Sequence, residues 1–320
     1  MKHKRIRSLF AAMLACAAFT TASAAATGYL SISAVNLNSA PVAENLSFET
    51  YRSVTFAGEL KSVDPEGDEV SYSITQEPKK GEMTLDGASF TYTPSDGKRG
   101  KDVFKYVAVD SCGNISNEAT VTVSIKKQQT KVSYSDLEGS GTEYAAVYLA
   151  EKGVFTGEKV GNEYLFFPDA PVSRGEFLAM CLSALGSGGL SGVSETGFFD
   201  DGDIPLWQKP YVAAAVLGNI VTGSKDRDGR IVFSPNRAVT RAEAAVILNN
   251  ALGVTNVSLP IDEAVPTWAS QAAANLKSVD VFSVGDGRSD LTRADAAKML
   301  AEAAKLAEST GRSGLLSWAK

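Results

Sequence analysis

The chain of 320 residues has one histidine, His3, and three cysteines, Cys16, Cys112 and Cys181. The histidine falls in the first residues, which read as a leader. The mature chain then lacks Ser–His nucleophile pairs, histidine general bases and histidine-ligated metals. No Gly-x-Ser-x-Gly elbow is present. The cysteines are too few for a disulfide framework. Cys181 falls on an apolar helical face and reads as core. Cys112 falls in a loop of a different region, and nothing in the spacing supports a bridge between them. After the leader, no apolar run is long enough to span a bilayer. Basic residues are also in deficit. With Lys2, Lys4, Arg5 and Arg7 removed, the net charge is about −10. Such a chain does not attract nucleic acid or an anionic surface in bulk, so any anion it binds needs a local site.

The leader covers residues 1–26. A basic start, an apolar stretch from Leu9 to Phe19 and the Ala22-Ser23-Ala24 site have the pattern of a secretory signal peptide. A lipid anchor on Cys16 is disfavoured, because Met13 stands where a lipoprotein signal prefers leucine. Residues 27–37 are small and polar and read as a linker. From 38 to 127 the apolar period is two. Val70, Tyr72 and Ile74 alternate, as do Phe104, Tyr106 and Ala108, then Val121, Val123 and Ile125. Turn clusters such as "DPEGDE" and "SDGKRG" separate these runs, which predicts a β-sandwich.

The rest of the chain is helical in period and repeats itself. "VSRGEFLAMCLSALG", "VTRAEAAVILNNALG" and "LTRADAAKMLAEAAKLAESTG" share one grammar. Ser173, Thr240 and Thr292 are N-caps. Glu176, Glu243 and Asp295, three residues on, complete capping boxes. Between cap and box stand Arg174, Arg241 and Arg293. Cations in a first helical turn oppose the helix dipole and lack a purely structural reason. A shorter helix precedes each copy: Tyr144 to Gly157, Trp207 to Gly223, and Trp268 to Gly285. Acidic openings come first, at Asp136, Asp201 and Asp262. Phe166-x-Pro168 and Phe233-x-Pro235 fall at matching places, while copy three has only "GDGRSD" there.

Two resemblances follow from these stretches. "APVAENLSFET…VDPEGDEVSYSIT…GKDVFKYVAVDSCGN" resembles bacterial cadherin-like or immunoglobulin-like domains. In such families calcium can lie between tandem domains. Here the candidates are Asp64, Glu66, Asp68 and Asp110, and the favoured reading is solvated turn acids with no metal. The acidic opening, Trp-led helix, Gly turn, Phe-x-Pro and Thr-Arg-Ala-Glu helix resemble the S-layer homology domain in three tandem repeats, at 130–186, 194–253 and 258–310, with a tail at 311–320. Copy one has Gly141 for the tryptophan and Gly175 for the motif alanine.

The resemblance implies a multidomain chain: an all-β sandwich followed by an all-α, pseudo-threefold helical unit with grooves between repeats. It implies a non-enzymatic anchor at the cell surface that needs no cofactor and binds an anionic, often pyruvylated, cell-wall polysaccharide. A structural S-layer lattice subunit is the alternative, and a protein or glycan partner for the sandwich stays open. The expected ligand-binding residues are Arg174, Arg241, Arg293, Trp207, Trp268, Asp201, Asp262 and Gly223. A carboxylate would meet each arginine beside free helix N–H groups, and the small Gly175 or Ala242 would admit the sugar. Arg241 is expected to matter most and Arg293 least, since copy two is the most complete. Each expectation has a structural counterpart. The arginines could pair with acids of neighbouring repeats, the Asp residues could be caps, and the tryptophans are expected in the core before serving as platforms.

Overall fold

The computed structural model describes residues 38–255, 264–282 and 284–311. The proposed leader, linker and most of the tail lie outside these residues, as does Asp262. The alternating segments become strands β1 (Val42–Ala43), β2 (Leu46–Tyr51), β3 (Phe56–Glu59), β4 (Ser62–Val63), β5 (Val70–Gln76), β6 (Gly81–Asp86), β7 (Ser89–Pro94), β8 (Gly100–Asp110) and β9 (Ala119–Lys126). They form a four-stranded sheet in the order β2-β9-β8-β5, a three-stranded sheet β3-β7-β6, and the small pair β1-β4. The predicted faces hold: Phe104, Tyr106 and Ala108 of β8 are fully buried, as are Val121 and Val123 of β9. One strand face is apolar because side chains alternate with period two.

Compactness divides the chain into two units. The first is built around Leu60–Glu77 and Phe104–Val121. The second joins Ser47–Glu59 and Pro78–Val103 to the chain from Thr122 onward. The three-stranded sheet therefore belongs with the helical region.

That region contains α1 (Glu143–Glu151), α2 (Arg174–Ala184), α3 (Lys209–Leu217), α4 (Arg241–Leu252), α5 (Ser270–Ser278) and α6 (Arg293–Ser309). Capping boxes are present at Ser173/Glu176 and Thr240/Glu243. Thr292 also caps, but Asp295 does not complete a box. One methylene shorter than glutamate, its carboxylate binds Arg241 instead. The all-α expectation needs correction. The loop of copy one carries the hairpin β10 (Glu158–Val160) and β11 (Glu163–Leu165), and that of copy two carries β12 (Ser224–Lys225) and β13 (Ile231–Val232). Gly161, at φ +63, turns the first hairpin, and Asp226 ties the second by accepting from the Asp228 and Arg230 N–H groups.

Three extended segments meet just before the capped helices. Val239 N–H donates to the Val172 carbonyl at 3.0 Å, Val172 N–H to Leu291 at 3.1 Å, and Leu291 N–H to Val239 at 2.8 Å. Val172, Val239 and Leu291 are each at most 2% exposed. The three bonds close a ring with no open end, so no segment leaves a buried peptide group unpaired. The apolar faces of all six helices pack around this ring in one core.

Within the second unit, β3 is tied to the start of α1. Thr55 N–H donates to Glu143 Oε2 at 3.0 Å, and Tyr144 N–H donates to the Thr55 carbonyl at 3.2 Å. Glu143 is 8% exposed. Burial pushes its carboxyl above the ordinary value near 4.5, against the opposing pull of the N–H groups it accepts from. The folded state therefore holds this proton more tightly than the unfolded state. The stabilisation is complete below pH 4.5 and is lost as pH rises through the raised value. Glu143→Gln keeps an acceptor for Thr55 and does not titrate. Its melting temperature relative to the parent is expected to increase steadily between pH 4 and pH 8. A pH-independent difference would contradict the assignment.

Candidate functional site

Each arginine helix begins on a loop from a different repeat. In α2, Arg174 N–H donates to the Arg237 carbonyl at 2.8 Å and Gly175 N–H to Pro235 at 2.9 Å. In α4, Arg241 donates to Ser289 at 3.0 Å and Ala242 to Gly287 at 3.1 Å. In α6, Arg293 donates to Ala170 at 2.8 Å and Ala294 to Pro168 at 2.9 Å. The third N–H of each helix is held by its cap hydroxyl. The first three N–H groups are thus all engaged, and the expected anion cradle of free amides is absent at these helix starts. The small residue beside the arginine also has another cause. A Cβ on Gly175 would lie 2.0 Å from Gln208 Oε1, and Ala242 is fully buried against Gly287.

The guanidinium groups lie beyond these backbone contacts. Each lies over an aromatic ring: Arg174 over Phe233 at 5.4 Å, Arg241 over Phe282 at 5.0 Å, and Arg293 over Phe155 at 5.2 Å. Such contacts are favourable for a cation. The three differ in their acids. Arg241 is held by Asp295 and donates from Nε to the Val284 carbonyl at 2.5 Å. Arg174 stands 3.8 Å from Glu243, whose carboxylate is already gripped by both terminal nitrogens of Arg237 at 2.6 and 2.9 Å. Burial lowers the Arg174 pKa, since Glu243 only partly offsets the lost hydration. Arg293 donates from Nη1 to the Phe166 carbonyl at 2.9 Å and meets Glu158 at 3.4 Å. Glu158 sits on an exposed hairpin edge, where an ion pair contributes little. The Nε and Nη2 groups of Arg293 donate to no protein group among the described residues.

Arg293 opens on a groove of about 320 Å³ lined by Phe155, Glu176, Met180, Trp207 and Tyr211. It brings together residues from all three copies: the arginine of the third, the helix of the first and the tryptophan of the second. Trp207 is 56% exposed and Trp268 62% exposed, so neither is the core residue that average burial favours. The shortened loop of copy three lies against Arg241, while Arg293 faces the full-length loop of copy one. The expected ranking set the shortened loop of copy three beside Arg293, whereas that loop lies against Arg241.

The acidic openings also change register. Asp136 accepts from the N–H groups of Phe166 and Phe167 at 2.9 and 2.7 Å. Its counterpart in copy two is Asp200, which accepts from Phe233 and Ser234 at 2.8 and 2.7 Å. Phe167 and Ser234 have φ of +54 and +60. The carboxylate thus holds a left-handed turn that non-glycine residues rarely adopt. Asp201, the expected ligand residue, instead holds Lys209 at 2.5 Å and Thr196. Gly223 packs against Phe198 and strand β13. A Cβ there would lie 2.5 Å from Phe198 and 2.8 Å from the Val232 carbonyl. In the first unit, Asp64, Asp68 and Asp110 bring carboxylate oxygens within 4.8 Å of one another. Asp110 is buried and bonded to Asn38 and Asn114, which replaces the solvated reading, while Glu66 pairs with Ser39. Cys112 and Cys181 are both free.

A family model for the bacterial cadherin-like domain matches residues 38–127, and one for the S-layer homology domain matches residues 199–245. The first match covers the β-rich stretch of the chain and the second part of the helical region. The surface-layer 125 kDa protein of Lysinibacillus sphaericus is 25% identical over 133 residues, which are 41% of this chain and 11% of that protein. The chain thus spans about a tenth of that relative's length. Among solved structures, the endo-fucoidan hydrolase MfFcnA4 of glycoside hydrolase family 107 is 19% identical, with 29% of this chain and 14% of that one covered at a TM-score of 0.24. The SrpA adhesin of Streptococcus sanguinis is 17% identical, with 30% and 65% covered at a TM-score of 0.23. Likenesses at these scores carry no argument. The cadherin-like and S-layer homology families are non-enzymatic, and with the surface-layer relative they point to the cell surface. No described helix is long and apolar enough to cross a membrane.

The role given to Asp200 has a direct check. Asp200→Ala removes two charge-assisted bonds from a left-handed turn. It is expected to destabilise the protein by about 1.5–3 kcal/mol, the range for hydrogen bonds to charged groups. Asp201→Ala is expected to cost less. Chemical denaturation of both variants measures the order, and a larger loss at Asp201 would reverse the assignment.

Proposed function

We propose that this chain anchors an exported protein to the bacterial cell envelope by binding an anionic secondary cell-wall polysaccharide, with a pyruvylated sugar as the charged group. In this reading the segments 130–186, 194–253 and 258–310 are three S-layer homology repeats arranged around a pseudo-threefold axis. The ring through Val172, Val239 and Leu291 supports that arrangement. The cadherin-like sandwich, 38–127, acts as a spacer or adhesion domain. Neither nucleic acid nor a cofactor has a place in it.

The carrying observation is the groove under Arg293. It offers a half-buried guanidinium with uncommitted donors and an exposed indole for the apolar face of a sugar ring. Its ion-pair partner, Glu158, is weakly held. A ligand carboxylate can take the position of the Glu158 carboxylate and gain a paired, charge-assisted contact. Arg174 is the second candidate, because Arg237 has taken its acid and its own charge is poorly served. Arg241 is the weakest, being bound by Asp295 and Val284.

Binding of purified envelope polysaccharide by sedimentation or calorimetry tests this order. Arg293→Ala is expected to cost about 1.5–3 kcal/mol of affinity, and Arg293→Lys to recover part of it. Glu158→Gln removes the competing carboxylate and is expected to tighten binding by up to about 1 kcal/mol, the scale of an exposed ion pair. If Arg293→Ala lowered thermal stability sharply while Glu158→Gln left affinity unchanged, the arginine would be a fastener between repeats.

A further inference from the structure

The groove under Arg293 has a counterpart with different walls. The helices of the repeats align from their first residues. Ala179 and Ser183 of α2 then correspond to Lys298 and Glu302 of α6, and Trp207 and Tyr211 at α3 correspond to Gly141 and Ala145 at α1. Ala179, Ser183, Trp207 and Tyr211 all line the Arg293 groove. Lys298, Glu302, Gly141 and Ala145 all line a second cavity of about 520 Å³, and its remaining walls are strands β3, β6 and β7 with Tyr144. By this correspondence the second cavity stands at the groove that Arg241 would serve, although Arg241 does not line it, and the three-stranded sheet forms one wall.

From this correspondence, and resting on the glycan reading above, we infer that the chain's own cadherin-like sheet walls the third inter-repeat groove and, with the residues beneath it, makes it unfit for anionic glycan. Three features of this chain's own residues agree. First, the tryptophan position is Gly141, and a Cβ there would lie 2.9 Å from Ala57 Cβ. No indole fits beneath β3. Second, the carboxylate of Glu302, paired with Lys305 at 2.8 Å, stands where the open groove has the Ser183 hydroxyl, and with Glu59 and Asp86 on the facing strands three acids stand against Lys298 and Lys305. A second carboxylate is repelled there. Third, the sheet is fastened by the paired bonds between Thr55, Glu143 and Tyr144, and by Lys305 of α6, which lies 5.8 Å from the ring centre of Phe56 in β3. The groove that lost its platform thus became the seat that fixes the sheet on the anchor.

The test uses the full chain and a synthetic pyruvylated hexosamine trisaccharide, with calorimetry alongside hydrogen exchange at the Thr55 and Tyr144 amides. Ser183→Glu, which gives the Arg293 groove the carboxylate found in its counterpart, is expected to weaken binding at least tenfold. Lys298→Glu, in the seat, is expected to leave it within twofold. Saturating trisaccharide is expected to leave exchange at the two amides unchanged. A tenfold loss in Lys298→Glu, or altered exchange at these amides on binding, would show glycan entering the third groove and overturn the inference. If the parent chain binds no trisaccharide, the glycan reading fails, and the seat is judged by exchange alone. Gly141→Val pushes a side chain into Ala57 and is expected to speed exchange at Thr55 and Tyr144 at least tenfold. Unchanged exchange in Gly141→Val would mean that β3 does not rest there.

Discussion

Everything in the helical region depends on backbone groups being satisfied across repeats and not within them. The ring through Val172, Val239 and Leu291 passes one hydrogen bond from each segment to another. A helix start leaves N–H groups that its own turn cannot pair. Here the loop of a second repeat supplies the carbonyls, so each arginine helix starts on its neighbour. A repeat on its own would expose those amides and its apolar helix faces. Its stability comes from adjacency, as in other repeat architectures. The same borrowing sets the arginines against foreign loops, rings and acids, which explains why three copies of one motif end in three different electrostatic states.

The loops that lend the carbonyls are themselves held by carboxylates. Asp136 and Asp200 each clamp two successive amides at a left-handed residue. The motif acids are therefore scaffold. They shape the Phe-x-Pro turn, whose Phe166 carbonyl receives Arg293 and whose Pro168 carbonyl starts α6. Among the described residues, the capping residues, Asp136, Asp200 and Gly175 hold the geometry, while the indoles of Trp207 and Trp268 are exposed.

Much of this was legible in the sequence. The strands from Val70 to Lys126, the six helices and the cap at each arginine helix follow from local period and from side chains acting within three or four residues. What was not legible is non-local. Asp200 and Asp201 are chemically alike, and only the distant amides of Phe233 and Ser234 choose between them. Asp295 matches the box pattern, yet it is too short to reach back and binds an arginine 54 residues away. Trp207 and Trp268 carry no local signal of exposure. That Gly141 is a seat for Ala57, and not simply a degenerate motif position, depends on a strand more than 80 residues earlier.

The central claim is recognition of a negatively charged sugar by guanidinium and indole together. The intrinsic fluorescence of the exposed tryptophans, followed during titration with the same polysaccharide before and after chemical removal of its pyruvyl groups, tests it most directly. A saturable change is expected with the pyruvylated form, absent in Arg293→Ala and strongly reduced for the depyruvylated form. An equal response to both forms, unaffected by loss of Arg293, would contradict it.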